Sequence, residues 1–136
     1  MKRTATRILA MLTLYNYEIT NSIDIKSIKE MIDEEIEIDN DFLYELINGV
    51  IDNKKEIDHI ISINLKNYTI DRLNIVDRNL IRIGVYEFMH SNTPTSIIIN
   101  ELIELSKEYS EIDDYESSKF NNSLLDKIAK GLSDGK

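Results

Sequence analysis

The residues in this chain that could do chemistry are few, and most of them point to binding. The two histidines, His59 and His90, stand far apart and neither has a second ligand at metal spacing. Adjacent carboxylates occur at Glu34-Glu35 and Asp113-Asp114. These fall on polar faces or loops, where little would shift their pKa toward acid–base work. There is no glycine-rich phosphate loop, GxSxG elbow or HExxH pair. The expectation is a protein that is not an enzyme and carries neither cofactor nor metal. What remains is cationic: Lys2, Arg3 and Arg7 at the front, and Lys119, Lys127 and Lys130 near the end. At 100° per residue, Lys119, Ser123 and Lys130 share one helical stripe, with Lys127 nearby and Asp126 intruding. Lysine and arginine hold phosphates without reading sequence. Asn122, with both donor and acceptor, suits the edge of an unpaired base. The same spacing also describes an ordinary solvated helix face, which is the commoner case.

Such residues need elements to hold them, and the composition favours helices. The chain has 136 residues, 42% of them hydrophobic, enough for one domain with a real core. It has only four glycines and one proline, which argues against many short strands. Cysteine is absent, excluding disulfides, a thiol nucleophile and a cysteine zinc site, and fitting a cytoplasmic protein. No apolar run approaches the roughly 18 residues of a membrane span. Net charge is −9, which opposes nucleic acid as a partner, but residues 1–15 carry +3 and leave −12 for the rest. A basic head on an acidic body can act locally, since fields decay over a Debye length of about 8 Å.

Periodicity predicts about seven helices, an all-α fold. The first spans about Thr4 to Ile19, with Ile8, Leu12, Tyr15 and Ile19 on its apolar stripe. A second fits Ile25 to Ile36. A third starts near Asp41, with Asp39-Asn40 available as cap. Asp52 to Lys55 reads equally as a break or a continuous polar turn before the Ile57 to Leu65 face. Ile70 to Leu73 makes a short helical turn. The fifth helix, Val76 to Met89, is apolar around most of its circumference and must be buried on two sides. Pro94 suits the first position of the sixth helix, with Thr93 as cap. On that helix Glu101, Glu104 and Glu108 form an acidic stripe. The seventh helix, Tyr115 to Gly131, turns Phe120, Leu124, Leu125 and Ile128 inward. Asn100 and Asn121 each face two outcomes, a buried partner or a rotation to the surface, because an unbonded buried amide costs roughly 1–3 kcal/mol.

Several segments, taken in order, carry a resemblance. They are Arg7-Ile8-Leu9-Ala10-Met11-Leu12-Thr13-Leu14-Tyr15; Phe42 to Val50 with Gly49 in place; Arg72-Leu73 after Tyr68; Val76-Asp77-Arg78; Arg82-Ile83-Gly84-Val85-Tyr86-Glu87; Ile99-Asn100-Glu101; and Phe120, Asn122 and Leu125-Asp126. The ordered set resembles the NusB family of bacterial transcription antitermination factors over nearly the whole chain. The resemblance implies two packed helical subdomains in a single compact domain, about 1–66 and about 67–132, with a tail at 133–136. It implies pairing with ribosomal protein NusE, binding of boxA-type single-stranded RNA from ribosomal RNA operons, and a place in the antitermination complex of RNA polymerase. By residue, it implies RNA contacts from Lys2, Arg3, Arg7, Lys119, Phe120 and Asn122, beside Lys127 from the helix face. Tyr15, Asp71, Asp77 and Arg78 would form the protein-binding side, which faces NusE. The chain departs from the family at Asn121 and Ser123, where a small apolar residue and glycine are usual, and in its sparse arginines near the front.

Two other readings compete. A protein-interaction module of the same fold, with weak or no RNA binding, fits the charge of −9. The RNA-binding front domain of certain ribosomal RNA cytosine methyltransferases shares the fold, but their chemistry needs cysteine and a methyl-donor domain. A homodimer is left open.

Overall fold

A computed structural model describes residues 2–110 and 115–134. Among these, seven α-helices and no strand are found: α1 Lys2–Thr20, α2 Ile25–Asp33, α3 Asn40–Asp52, α4 Lys54–Ile63, α5 Ile75–His90, α6 Thr95–Tyr109 and α7 Tyr115–Asp134. A short 3-10 turn, Ile70–Arg72, precedes α5. The carboxylate pair Asp113-Asp114 and the last two tail residues lie outside the described residues.

α5 organises the molecule. It packs against α1, α3 and α4, and also against α6 and α7. Val76, Leu80, Ile81, Ile83 and Val85 are all buried, which leaves it almost no solvent face. One apolar cluster runs from Leu9 and Leu46 through Ile83 to Leu102 and Leu125, so both halves share α5 as their core. Close approach needs small residues. A Cβ on Gly84 would lie 2.5 Å from Leu102 Cδ1 and 3.2 Å from Leu125 Cδ2, and one on Gly49 would strike the Tyr86 ring.

Local chemistry sets the helix ends. The Asp39 carboxylate accepts from Phe42 N–H at 3.1 Å and starts α3, and the Asn74 side-chain Oδ1 accepts from Val76 N–H at 2.9 Å and starts α5. Asp52 to Lys55 is a break: Asn53 closes α3, donating its side-chain amide to Gly49 O at 2.8 Å, and α4 begins one residue later. α1 leaves through Asn21 at φ 61°, a left-handed conformation that asparagine tolerates.

Four expectations are corrected. Thr93 does not cap α6: Pro94 holds the cap position, and the Thr93 hydroxyl accepts from Ser91 instead. α7 runs past Gly131 to Asp134. α2 stops at Asp33 and has no fully buried residue, because only Ile25 and Ile28 reach the core. α1 is rotated from its apparent stripe: Ile19 is exposed, whereas Thr6 and Thr13 are buried. Each threonine hydroxyl donates to the carbonyl four residues earlier, at 2.7 Å, which lets it sit inside.

A candidate nucleic-acid interface

The cationic and aromatic candidates fall into two groups. The first lies at the start of α1. Lys2 and Arg3 are exposed, and the Arg3 guanidinium lies over the Phe42 ring of α3, 3.9 Å from its centroid. Such a cation over an aromatic face is attracted by the ring quadrupole while its outer edge stays free for an anion.

Arg7, only one turn further, has a different environment. It is 4% exposed, and its Nε and Nη2 donate to both oxygens of Glu87 at 2.9 and 2.8 Å. Glu101 lies 3.5 Å from its Nη1 and also accepts from the Thr4 hydroxyl. Burial alone would lower the Arg7 pKa, but the bonds and charges of Glu87 and Glu101 outweigh it and raise the value, so the ion pair is locked. The expectation that Arg7 meets RNA is corrected to that extent: its guanidinium is consumed inside the fold. Glu101, read as part of a solvated stripe, is likewise drawn inward, while Glu104 and Glu108 remain exposed.

The second group forms where α7 passes the segment linking α4 to the 3-10 turn. Lys119, Asn122, Ser123 and Lys127 are exposed on α7. Phe120, expected in the core, is 42% exposed. Its neighbour Asn121 is buried in its stead and donates to Ser106 Oγ at 3.3 Å. Asn100 takes the other outcome and faces solvent. The Phe120 ring sits 5.7 Å from that of Tyr68, also exposed, and the Arg72 guanidinium lies 5.5 Å from the Tyr68 ring centre. Tyr68 is pinned by its hydroxyl, which donates to Arg72 O at 3.0 Å. Beside the rings, Asn64, Lys66, Ser123 and Lys127 line an open groove, and Lys127 Nζ reaches Asn64 O at 3.4 Å. Lys130 is paired with Asp126 at 3.1 Å. Tyr68, Arg72 and Lys66 were not among the predicted RNA contacts. The available signal was Tyr68 itself, an aromatic in the polar linker Asn67-Tyr68-Thr69.

The expected partner side is only partly a surface. Tyr15 is half-buried and Asp71 exposed. A hydrogen bond from Thr69 is the main cause holding the Asp71 carboxyl below its usual range. Asp77 is buried, accepting from Ser106 Oγ at 2.6 Å and Ser110 Oγ at 3.3 Å, so it ties α5 to α6 rather than meeting a partner. Arg78 bonds Glu18 and donates to Leu73 O at 2.7 Å. Glu18 is shared with Arg82, which also grips Asp58 at 2.8 and 3.1 Å. Burial raises the Glu18 carboxyl, but the bonds from Arg78 and Arg82 together overcome that and lower it. No group of three metal-ligating residues occurs among the described residues, and no described helix is long and apolar enough to cross a membrane.

Known proteins share this fold over nearly the whole chain. A sequence model of the NusB family matches residues 4–130. The transcription antitermination protein NusB of Staphylococcus epidermidis is 38% identical over 130 residues, covering 94% of this chain and 98% of that protein. The solved NusB of T. maritima superposes with a TM-score of 0.80 at 32% identity, covering 96% of this chain and 92% of the other. A solved structure of the antitermination factors NusB and NusE in complex with double-stranded RNA matches with a TM-score of 0.75 at 29% identity, covering 94% and 96%. The family match over residues 4–130, the near-full-length identity and the shared all-helical fold agree, and the chain belongs to the NusB family of transcription antitermination factors.

Proposed function

We propose that this protein binds single-stranded boxA-type RNA together with ribosomal protein NusE, as a non-catalytic subunit of the RNA polymerase antitermination complex. One observation carries the reading: the exposed pair Tyr68 and Phe120, 5.7 Å apart, beside Arg72 and the exposed cations Lys119 and Lys127. Aromatic faces that stack bases, set among cations that hold phosphates, suit a single strand. Asn122 adjoins the pair and offers a base-reading amide. Lys2 and Arg3 supply further phosphate contacts. The face holding Tyr15, Asp71 and Arg78 is the proposed NusE side. The relative solved with NusE and double-stranded RNA supports NusE and RNA as partner classes, while the preference for a boxA single strand rests on the aromatic pair and the family resemblance.

A protein-interaction module without RNA binding is the second reading. It is favoured by the loss of Arg7 to Glu87, which leaves only Lys2 and Arg3 free at the front. Fluorescence anisotropy with a boxA single strand and a scrambled control, with and without NusE, separates the two. The first reading expects boxA preference that tightens with NusE. A NusE complex with no RNA preference would establish the second.

A further inference from the structure

The start of α1 is poorly supported by its own sequence. No acidic residue stands in its first turn, and Lys2 and Arg3 place positive charge at the positive end of the helix dipole. Terminal turns of this kind fray. Yet three other elements hold this one. From α5, Glu87 grips Arg7 with both oxygens. From α6, Glu101 accepts from Thr4 and lies 3.5 Å from Arg7. From the entry to α3, Asp39 N–H donates to Thr6 Oγ at 2.9 Å, and the Phe42 ring takes the Arg3 guanidinium at 3.9 Å and that of Arg7 at 5.2 Å. Two carboxylates already surround the single charge of Arg7, so a phosphate approaching it would meet net negative charge.

We infer that Arg7, Glu87 and Glu101 form an anchor that sets the first turn of α1, and that they act on RNA only through Lys2 and Arg3. These are positioning residues. The anchor also gives the acids of Tyr86-Glu87 and Asn100-Glu101, two of the family segments, a task that does not involve touching RNA. The inference rests on the proposed RNA binding for its consequence, but the anchor itself is testable without RNA.

The sign of one substitution discriminates. Glu101→Ala deletes a negative charge close to the basic turn, so simple electrostatics predicts tighter RNA binding. The anchor predicts the reverse: a loss of at least about twofold, the lower end for residues coupled in one network. That loss should vanish when Lys2→Ala and Arg3→Ala are already present. Arg7→Lys keeps the charge but loses the two-pronged grip on Glu87, and should weaken RNA in the same way. Amide hydrogen exchange over residues 6–10, the first amides of α1 with intrahelical acceptors, should accelerate in both variants, while NusE binding is unchanged. Anisotropy with the boxA strand in the presence of NusE gives the first readout, and exchange the second. Unchanged or tighter RNA binding by Glu101→Ala overturns the inference, as does a loss that adds fully to that of the Lys2→Ala, Arg3→Ala background. If the unsubstituted protein ignores RNA, the proposed function falls, and unaltered exchange in Glu101→Ala then decides against the anchor by itself.

Discussion

Phe120 shows how a single residue moves from one role to another. Its spacing puts it on the apolar stripe of α7, but the helix is rotated so that Asn121 goes inside, where Ser106 bonds it, and Phe120 half emerges against Tyr68. Phe120→Ala should therefore cost little stability. It should weaken binding of a boxA single strand by about 1–3 kcal/mol, the usual worth of one stacked base, measured by anisotropy titration. Gly84 is the opposite kind of residue, needed for space alone. Both side chains that a Cβ there would press, Leu102 and Leu125, are fully packed and have nowhere to retreat. Overpacking of about 1–3 kcal/mol outweighs the ~1 kcal/mol that alanine gains in a helix. Gly84→Ala should thus lower the urea midpoint with little change in slope, and without altering which partners bind.

At the scale of elements, the helices are joined by buried or half-buried charge clusters as well as by apolar contact. Glu18 at the end of α1 is the shared acceptor of Arg78 and Arg82 on α5, and Arg82 reaches on to Asp58 of α4. The Glu18 carboxyl sits below its unfolded value of 4.5 in the folded protein. A depressed carboxyl contributes stability above its unfolded pKa and loses it as pH falls through the folded one. Stability should accordingly decline as the pH drops below about 4.5. Glu18→Gln should flatten that acid limb while lowering stability at neutral pH, as urea midpoints across pH would show. The Arg7–Glu87 pair joins α1 to α5 in a more deeply buried setting. Arg7→Met would strand Glu87, 1% exposed, without its partner and should cost about 3–5 kcal/mol, read from equilibrium unfolding.

Across the whole molecule, charge is divided rather than averaged. The chain is −9 overall, yet the proposed RNA contacts are local cations: Lys2 and Arg3 at one helix start, Lys119 and Lys127 along another. Binding built on a handful of phosphate contacts must fall steeply with salt. For single strands the logarithmic slope is about −0.7 per phosphate neutralised, so Lys127→Ala should reduce its magnitude by about 0.7 without changing boxA preference. Anisotropy between 50 and 200 mM salt measures this. The acid elsewhere keeps the rest of the surface from binding RNA indiscriminately. The apolar cluster that spans both sides of α5 explains why two sets of helices form one body.

By itself, the sequence determined the all-α class, the seven helices and the central place of α5. Those depend on the period of apolar residues and on local end signals such as Asp39, which any window of the chain contains. The ordered family segments also carried the kinship. Only the tertiary structure decided what each polar residue does. Arg7 and Asp77 look like surface groups because their partners, Glu87, Ser106 and Ser110, lie far along the chain. Buried threonines are invisible to a hydrophobic pattern because the backbone of their own helix satisfies them. Tyr68 looks like a linker residue until α7 brings Phe120 against it. For Arg7, Asp77 and Tyr68 the chemistry was set by a contact between distant segments, and burial decides whether a charge is available to a ligand or is consumed by the fold.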